Sequence, residues 1–165
     1  MAEMASTYEG PNESHAFQNL RILLLGVSGV GKSATGNAIL GREAFKEKTT
    51  TVSEVQRGRV EDRNISVIDT PGFFITELTD EDLQNEMMKS LSHAHPGPHV
   101  FLLIVKLDTY TEDNARKMVE KIQKSFGEEV LKFTLVLFTG REKMSRKECK
   151  QFIESERTKE FLSCF

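Results

Sequence analysis

The sequence predicts an α/β fold built on a mainly parallel sheet with helices on both faces. Short runs at residues 21–25 (RILLL), 100–105 (VFLLIV) and 133–138 (FTLVLF) are too uniformly apolar for strands with one wet face. Segments with apolar residues at spacings of three and four lie between these runs, as amphipathic helices require. Glycines mark the junctions where one kind of segment gives way to the other. Strands alternating with helices in this way imply parallel pairing through crossover connections.

Taken in order, residues 1–18 are polar, acidic and punctuated by Ser, Gly and Pro, and are expected to be disordered. Residues 19–165 are left as one domain. The run 21–25 reads as a buried strand, and residues 32–40 as a helix with Gly41 at its C-terminal cap. Residues 43–54 (EAFKEKTTTVSE) show no period and read as a long loop. Residues 55–60 and 64–68 flank EDRN, the pattern of a hairpin with a short turn. Residues 79–93 place Leu83, Met87, Met88 and Leu91 on one helical face, with Thr79 and Asp82 as an acidic form of a capping box. HPGPH then breaks the chain before the strand 100–105. Ala115, Met118, Val119, Ile122 and Phe126 mark a further helix, ended by Gly127. The run 133–138 reads as another buried strand, and residues 145–156 as a polar, exposed helix.

Composition narrows the classes. The chain has 165 residues, enough for one core, and a formal charge of −3, which argues against a nucleic-acid or anionic-lipid surface. Two cysteines, Cys149 and Cys164, make no disulfide framework and suit a reducing, cytoplasmic setting. The N-terminus lacks the basic and apolar regions of a signal peptide, and no run approaches the ~20 apolar residues of a membrane span.

The chemistry is concentrated at GVSGVGKS, residues 26–33, which satisfies G-x-x-x-x-G-K-[ST] between a strand and a helix. Backbone N–H groups of Gly29, Val30, Gly31, Lys32, Ser33 and Ala34 can wrap a di- or triphosphate there, aided by the positive end of the helix, and Ser28 is counted with them as a nucleotide-binding residue. Lys32 is placed for the β/γ-phosphates and the Ser33 hydroxyl for Mg²⁺. This is the phosphate loop of a P-loop NTPase. DTPG, residues 69–72, follows the neighbouring strand: Asp69 would hold Mg²⁺ through water and the Gly72 N–H would sense a γ-phosphate. In the loop 43–54, Thr49, Thr50, Thr51 and Ser53 are candidates to complete the Mg²⁺ shell, with Thr51 the first choice. Phe73 stands where many GTPases carry a water-orienting glutamine, so intrinsic hydrolysis is expected to be slow or assisted from elsewhere; the residue also suits packing under the next loop.

TGRE, residues 139–142, follows the strand 133–138 and takes the place of N-K-x-D, the guanine-reading pattern. Thr139 replaces the asparagine, and Glu142 keeps a carboxylate for the base protons. The lysine that would lie along the base is Gly140. DTPG and Glu142 together favour guanine over an ATP-hydrolysing alternative. His93, His95 and His99 lack the companions of most zinc sites and suit helix-end and turn roles.

These residues resemble the immunity-associated GTPases, the AIG-type G domain. The likeness runs from about Leu20 to Glu156 and rests on LRILLLGVSGVGKSATGNAILG, on VIDTPGFF, and on HPGPHVFLLIV with YTEDNARKMVEKIQKSFG. TGRE resembles the family's variant base motif, and FTGRE that of its fish-type members. The resemblance implies a Ras-like fold, GTP/GDP and Mg²⁺ binding, and homo- or heterodimerisation through the G-domain face, which could supply what Phe73 cannot. It also implies a further strand and closing helix beyond ERTKEFLSCF. Without them the 133–138 strand is expected at a sheet edge, one sheet face partly bare, and nucleotide affinity and stability reduced. A non-hydrolysing assembly module is the competing expectation.

Overall fold

The computed structural model describes residues 19–165; the stretch 1–18, expected to be disordered, lies outside the described residues. Strands β1 (Asn19–Gly26), β2 (Glu54–Val60), β3 (Arg63–Asp69), β4 (Val100–Lys106) and β5 (Thr134–Thr139) form a single sheet in the order β2-β3-β1-β4-β5. β1 runs parallel to β3 and β4, and β4 parallel to β5; only β2 is antiparallel, paired with β3. The β2–β3 hairpin turns through Glu61 and Asp62, both left-handed (φ 46 and 67°), between the paired residues Val60 and Arg63. Two such residues in succession match the right-handed twist of the flanking strands.

Side-chain alternation sorts the strands into two faces. Leu23, Leu25, Phe101, Leu103 and Val105 point to one core, where α2 (Asp80–His93) brings Leu83 and Met87 and α3 (Glu112–Phe126) brings Ala115, Met118 and Ile122. Ile22, Leu24, Val67 and Ile104 point to the other, covered by α1 (Lys32–Leu40) and Phe45. Thr79 caps α2, its hydroxyl accepting the Asp82 N–H at 3.1 Å, as the sequence pattern indicates.

Two expectations need correction. β5 is not a buried strand. Thr134, Val136 and Phe138 face the α3 side, but Leu135 and Leu137 on the α1 side are 62 % and 38 % exposed. β5 lies at the end of the sheet, as expected for that edge, and α1 packs over β1 and β3 rather than over β5. Nor is 145–156 one helix. Ser145 and Glu148 form a full capping box for α4 (Arg146–Glu154), and the backbone extends at Ser155 (ψ 144°). The Ser155 hydroxyl then accepts the Thr158 N–H (3.2 Å) and opens α5 (Glu156–Leu162). A serine that can cap a new helix competes with continuing the old one. Phe161 of α5 packs into the α3-side core, with Tyr110 between it and Phe152 of α4.

Candidate nucleotide site

At the C-terminal ends of β1 and β3 lies an open cleft of about 240 Å³. Ser28, Gly29, Gly31, Lys32, Ser33 and Ala34 form one wall, residues 47–50 the other, and Gly72 closes an end. Gly31 is the N-cap of α1 at φ 96°, a conformation open to glycine at little cost, and it leaves the first N–H groups of the helix with no side-chain cap. The first turn of α1 carries no acidic residue, so no local carboxylate occupies that positive end. The Ser28 N–H is already used, donating to the Phe73 carbonyl at 3.3 Å.

Lys32, Ser33 and Asp69 are buried together beneath the cleft. The Ser33 hydroxyl donates to Asp69 Oδ2 at 2.7 Å, and the Thr50 hydroxyl lies 3.5 Å from the same oxygen. Burial pushes the Asp69 carboxyl up, against the pull of the Ser33 hydroxyl and of Lys32. Burial likewise lowers Lys32, with Asp69 opposing it. Asp69 Oδ1 is buried with no hydrogen-bond partner. A buried carboxylate oxygen left unpaired beside a hydroxyl is costly unless a cation or ordered water completes it. This donor set fits Mg²⁺.

Thr50, not the first-choice Thr51, turns its hydroxyl toward Asp69 and lines the cleft. Ser53 points elsewhere: its N–H donates to Glu86 Oε1 and its hydroxyl to the Glu86 carbonyl, both at 2.9 Å. At DTPG, a Cβ on Gly72 would collide with the backbone of Ser28, so only glycine fits this approach. Phe73 is 1 % exposed and its N–H donates to the Gly26 carbonyl at 2.8 Å, extending β1 by a bridge to Val27. Its ring is core. No side chain at 73 reaches the cleft. Thr70 is also buried, its hydroxyl on the Leu24 carbonyl at 2.7 Å.

On the base side, the Thr139 hydroxyl donates to the Val30 carbonyl at 3.3 Å, tying TGRE to the phosphate-loop turn. Glu142 lies on the exposed turn Arg141–Lys143, with no ion pair among the described residues. Beside it, Asp108 faces Lys106 (3.9 Å) and Lys143 (3.8 Å). The Ser53–Glu86 pair does not announce itself in the sequence, because it joins a loop and a helix 33 residues apart in the chain. His99 has a turn role: its Nδ1 accepts the Arg21 N–H at 3.0 Å.

The AIG1 family model matches residues 20–164. The chain belongs to the AIG1 family. This AIG1 domain is 38 % identical over 131 residues to GTPase IMAP family member 8 of Mus musculus, covering 74 % of the chain and 19 % of that protein. It is 35 % identical over 125 residues to immune-associated nucleotide-binding protein 10 of Arabidopsis thaliana, covering 72 % of the chain and 27 % of the relative. The chain therefore spans about a fifth to a quarter of the length of these relatives. Among solved structures, Toc33 from Arabidopsis thaliana in complex with Mg²⁺ and GMPPNP matches with a TM-score of 0.74 at 23 % identity, over 94 % of this chain and 65 % of that one. The AIG1 domain thus shares the fold of that GTPase. Among the described residues no helix is long and apolar enough to cross a membrane.

Proposed function

We propose that this AIG1 domain binds GTP and GDP with Mg²⁺ and acts as a guanine-nucleotide switch of low intrinsic hydrolysis. The observation that carries the reading is the buried set beneath the bare turn: Ser33 on Asp69, Asp69 Oδ1 without a partner, and uncapped N–H groups opening above them. Ser33 would ligate Mg²⁺ and Asp69 would hold its water, while the N–H groups of residues 29–34 and Lys32 bind the phosphates. Held there, Mg²⁺ would supply neutralisation of the phosphate charge. Thr50 takes the switch-threonine role in this scheme, and Thr139 and Glu142 the base side, with Glu142 accepting the guanine protons.

Slow turnover follows from Phe73. A buried ring cannot orient water, so a second chain across the cleft is the natural source of the missing group. Support comes from the wider group: dimerization is important for the GTPase activity of the chloroplast translocon components atToc33 and psToc159. Pairing of two G-domain faces, like or unlike, is the arrangement we assign here. Cys149 and Cys164 are free thiols, in keeping with a cytoplasmic setting.

Titration with fluorescent GTP, GDP and ATP, with Mg²⁺ present, tests the reading on the wild type and Lys32→Ala. Guanine-selective binding lost in the variant is the expected result. No binding of any nucleotide favours the second reading, a non-hydrolysing assembly module, for which the burial of Phe73 also speaks. Phosphate release per molecule should rise with protein concentration; a constant rate rules out assistance by pairing.

A further inference from the structure

We propose that Lys106 supplies the base-facing cation that the chain lacks at Gly140, so that the lysine stem against a bound guanine comes from the end of β4 instead of the loop after β5. The inference rests on the guanine-nucleotide reading and deepens it. The sheet brings the two positions together: Lys106 pairs in register with Thr139, the residue before Gly140. Lys106 and Ile104 lie two apart on β4, and Ile104 shares its cluster with Val30 of the phosphate-loop turn. A Cβ at Gly140 would stand in ordinary van der Waals contact with the Lys106 stem, 3.6 Å from its Cγ. The space where a lysine at 140 would begin is therefore already bordered by another lysine's methylenes. Lys106 also lines a cavity of about 210 Å³ with Ser28, Gly29 and Val30, so its stem borders the turn that carries the phosphates.

The ammonium is held loosely. Its carboxylate partner is Asp108 at 3.9 Å, which is itself shared with Lys143 at 3.8 Å. Two cations on one partly exposed carboxylate leave a positive charge uncompensated, free to swing on a four-carbon stem. A cation against the face of a purine is attracted by its π system, and the methylenes cover the ring's apolar surface. Discrimination among bases stays with Glu142; Lys106 contributes affinity for the base as a stacked plane.

The test compares wild type, Lys106→Met, Lys106→Arg and Lys143→Met by titration with ribose-labelled GDP and by competition with inorganic pyrophosphate, which has no base. Lys106→Met should weaken GDP about 3- to 30-fold while pyrophosphate competes as before. Lys106→Arg should stay within about threefold of wild type, since it keeps a stacking cation. Thermal unfolding without nucleotide confirms that each variant is folded. Unchanged GDP affinity in Lys106→Met overturns the inference, as does an equal loss in Lys143→Met or an equal loss for pyrophosphate. A wild type that binds neither GDP nor pyrophosphate brings down the nucleotide reading itself, before any variant is compared.

Discussion

Ser53 and Glu86 hold each other twice: the Ser53 N–H donates to the Glu86 carboxylate and the Ser53 hydroxyl to the Glu86 carbonyl, both at 2.9 Å and both buried. Burial pushes the Glu86 carboxyl up, but the Ser53 N–H and the Lys89 ammonium outweigh it and leave it below the ordinary range. At the other end of the same loop, Asn37 and Phe45 exchange a second pair of bonds, at 2.9 and 2.7 Å. The segment between these anchors carries Glu47, Lys48, Thr49 and Thr50, which form a wall of the cleft. Its ends are fixed to α1 and α2, so movement of that wall is confined to the residues between.

Removing the Glu86 acceptor should therefore cost more than an exposed glutamate does. Glu86→Ala leaves the buried Ser53 N–H unpaired, a loss of about 1–3 kcal/mol by urea denaturation. Glu86→Gln keeps a carbonyl acceptor and should recover most of it. Equal losses in the two variants would mean that the carboxylate's charge, not the hydrogen bond, matters.

Gly72→Ala tests the closeness of DTPG to the phosphate-loop turn. The added methyl meets the Ser28 backbone, which cannot rotate away as a side chain would. The two segments must separate, at about 1–3 kcal/mol, read as a lower urea midpoint in the absence of nucleotide. An unchanged midpoint would show that the segments already stand apart in solution.

Phe73→Gln asks whether hydrolysis can be raised by supplying the residue many GTPases use. The ring is in the core, and the backbone at 73 is fixed by the Gly26 carbonyl and the Ser28 N–H. A glutamine there buries an amide instead of reaching the cleft. Stability should fall by several kcal/mol, about 3–5 from the lost ring alone, and phosphate release should not rise. A faster rate in a folded variant would refute the placement.

Much of this was legible from residues alone, and most of the exceptions share a cause. The run RILLL, the glycine turn and the helix 32–40 are contiguous, so period and spacing locate them. Asp69 was readable because its strand must lie beside β1 in a parallel sheet. The Ser53–Glu86 bonds and the register pairing of Lys106 with Thr139 join segments far apart in the chain, through residues that local patterning treats as solvent-facing. The same reasoning explains Thr50 and Thr51: adjacent threonines in an aperiodic loop are equivalent in sequence, and only the loop's anchoring at Phe45 and Ser53 decides between them. The apolar run of β5 misled for a different reason. Hydrophobicity reports what a strand is suited to bury against, and α1 does not extend over it.

His99 gives a pH-dependent contribution of definite sign. Burial and the neighbouring Arg21 guanidinium hold the imidazole below its ordinary value, and its unprotonated Nδ1 accepts the Arg21 N–H. The unfolded chain then binds the proton more readily than the folded one. The stability this group contributes is present in full above the unfolded-state value near 6.5, and is lost as pH falls through that value toward the folded one. Urea midpoints at pH 7.5 and 5.5 should differ more in the wild type than in His99→Ala, with the variant less stable at the higher pH. The same slope in both proteins would remove His99 from the account.

The exposed side of β5 makes the last prediction. Leu135 and Leu137 stand on the α1 side of an edge strand, with Phe133, 58 % exposed, just before them at the same alternation. Among the described residues β5 pairs only with β4, so its outer backbone groups meet no strand there. An apolar, unpaired edge is a template for another strand, and nothing on it blunts that tendency: the strand TLVLFT has neither a charge nor a proline. Leu135→Lys should therefore leave the unfolding free energy from urea denaturation within about 0.5 kcal/mol of the wild type, because the side chain it replaces is already largely in water. It should also raise the concentration at which the protein stays monomeric by light scattering, since a lysine on an edge opposes strand addition. A large loss of stability in Leu135→Lys would show that this face is covered in the folded protein, and unchanged scattering that the edge is not where molecules meet.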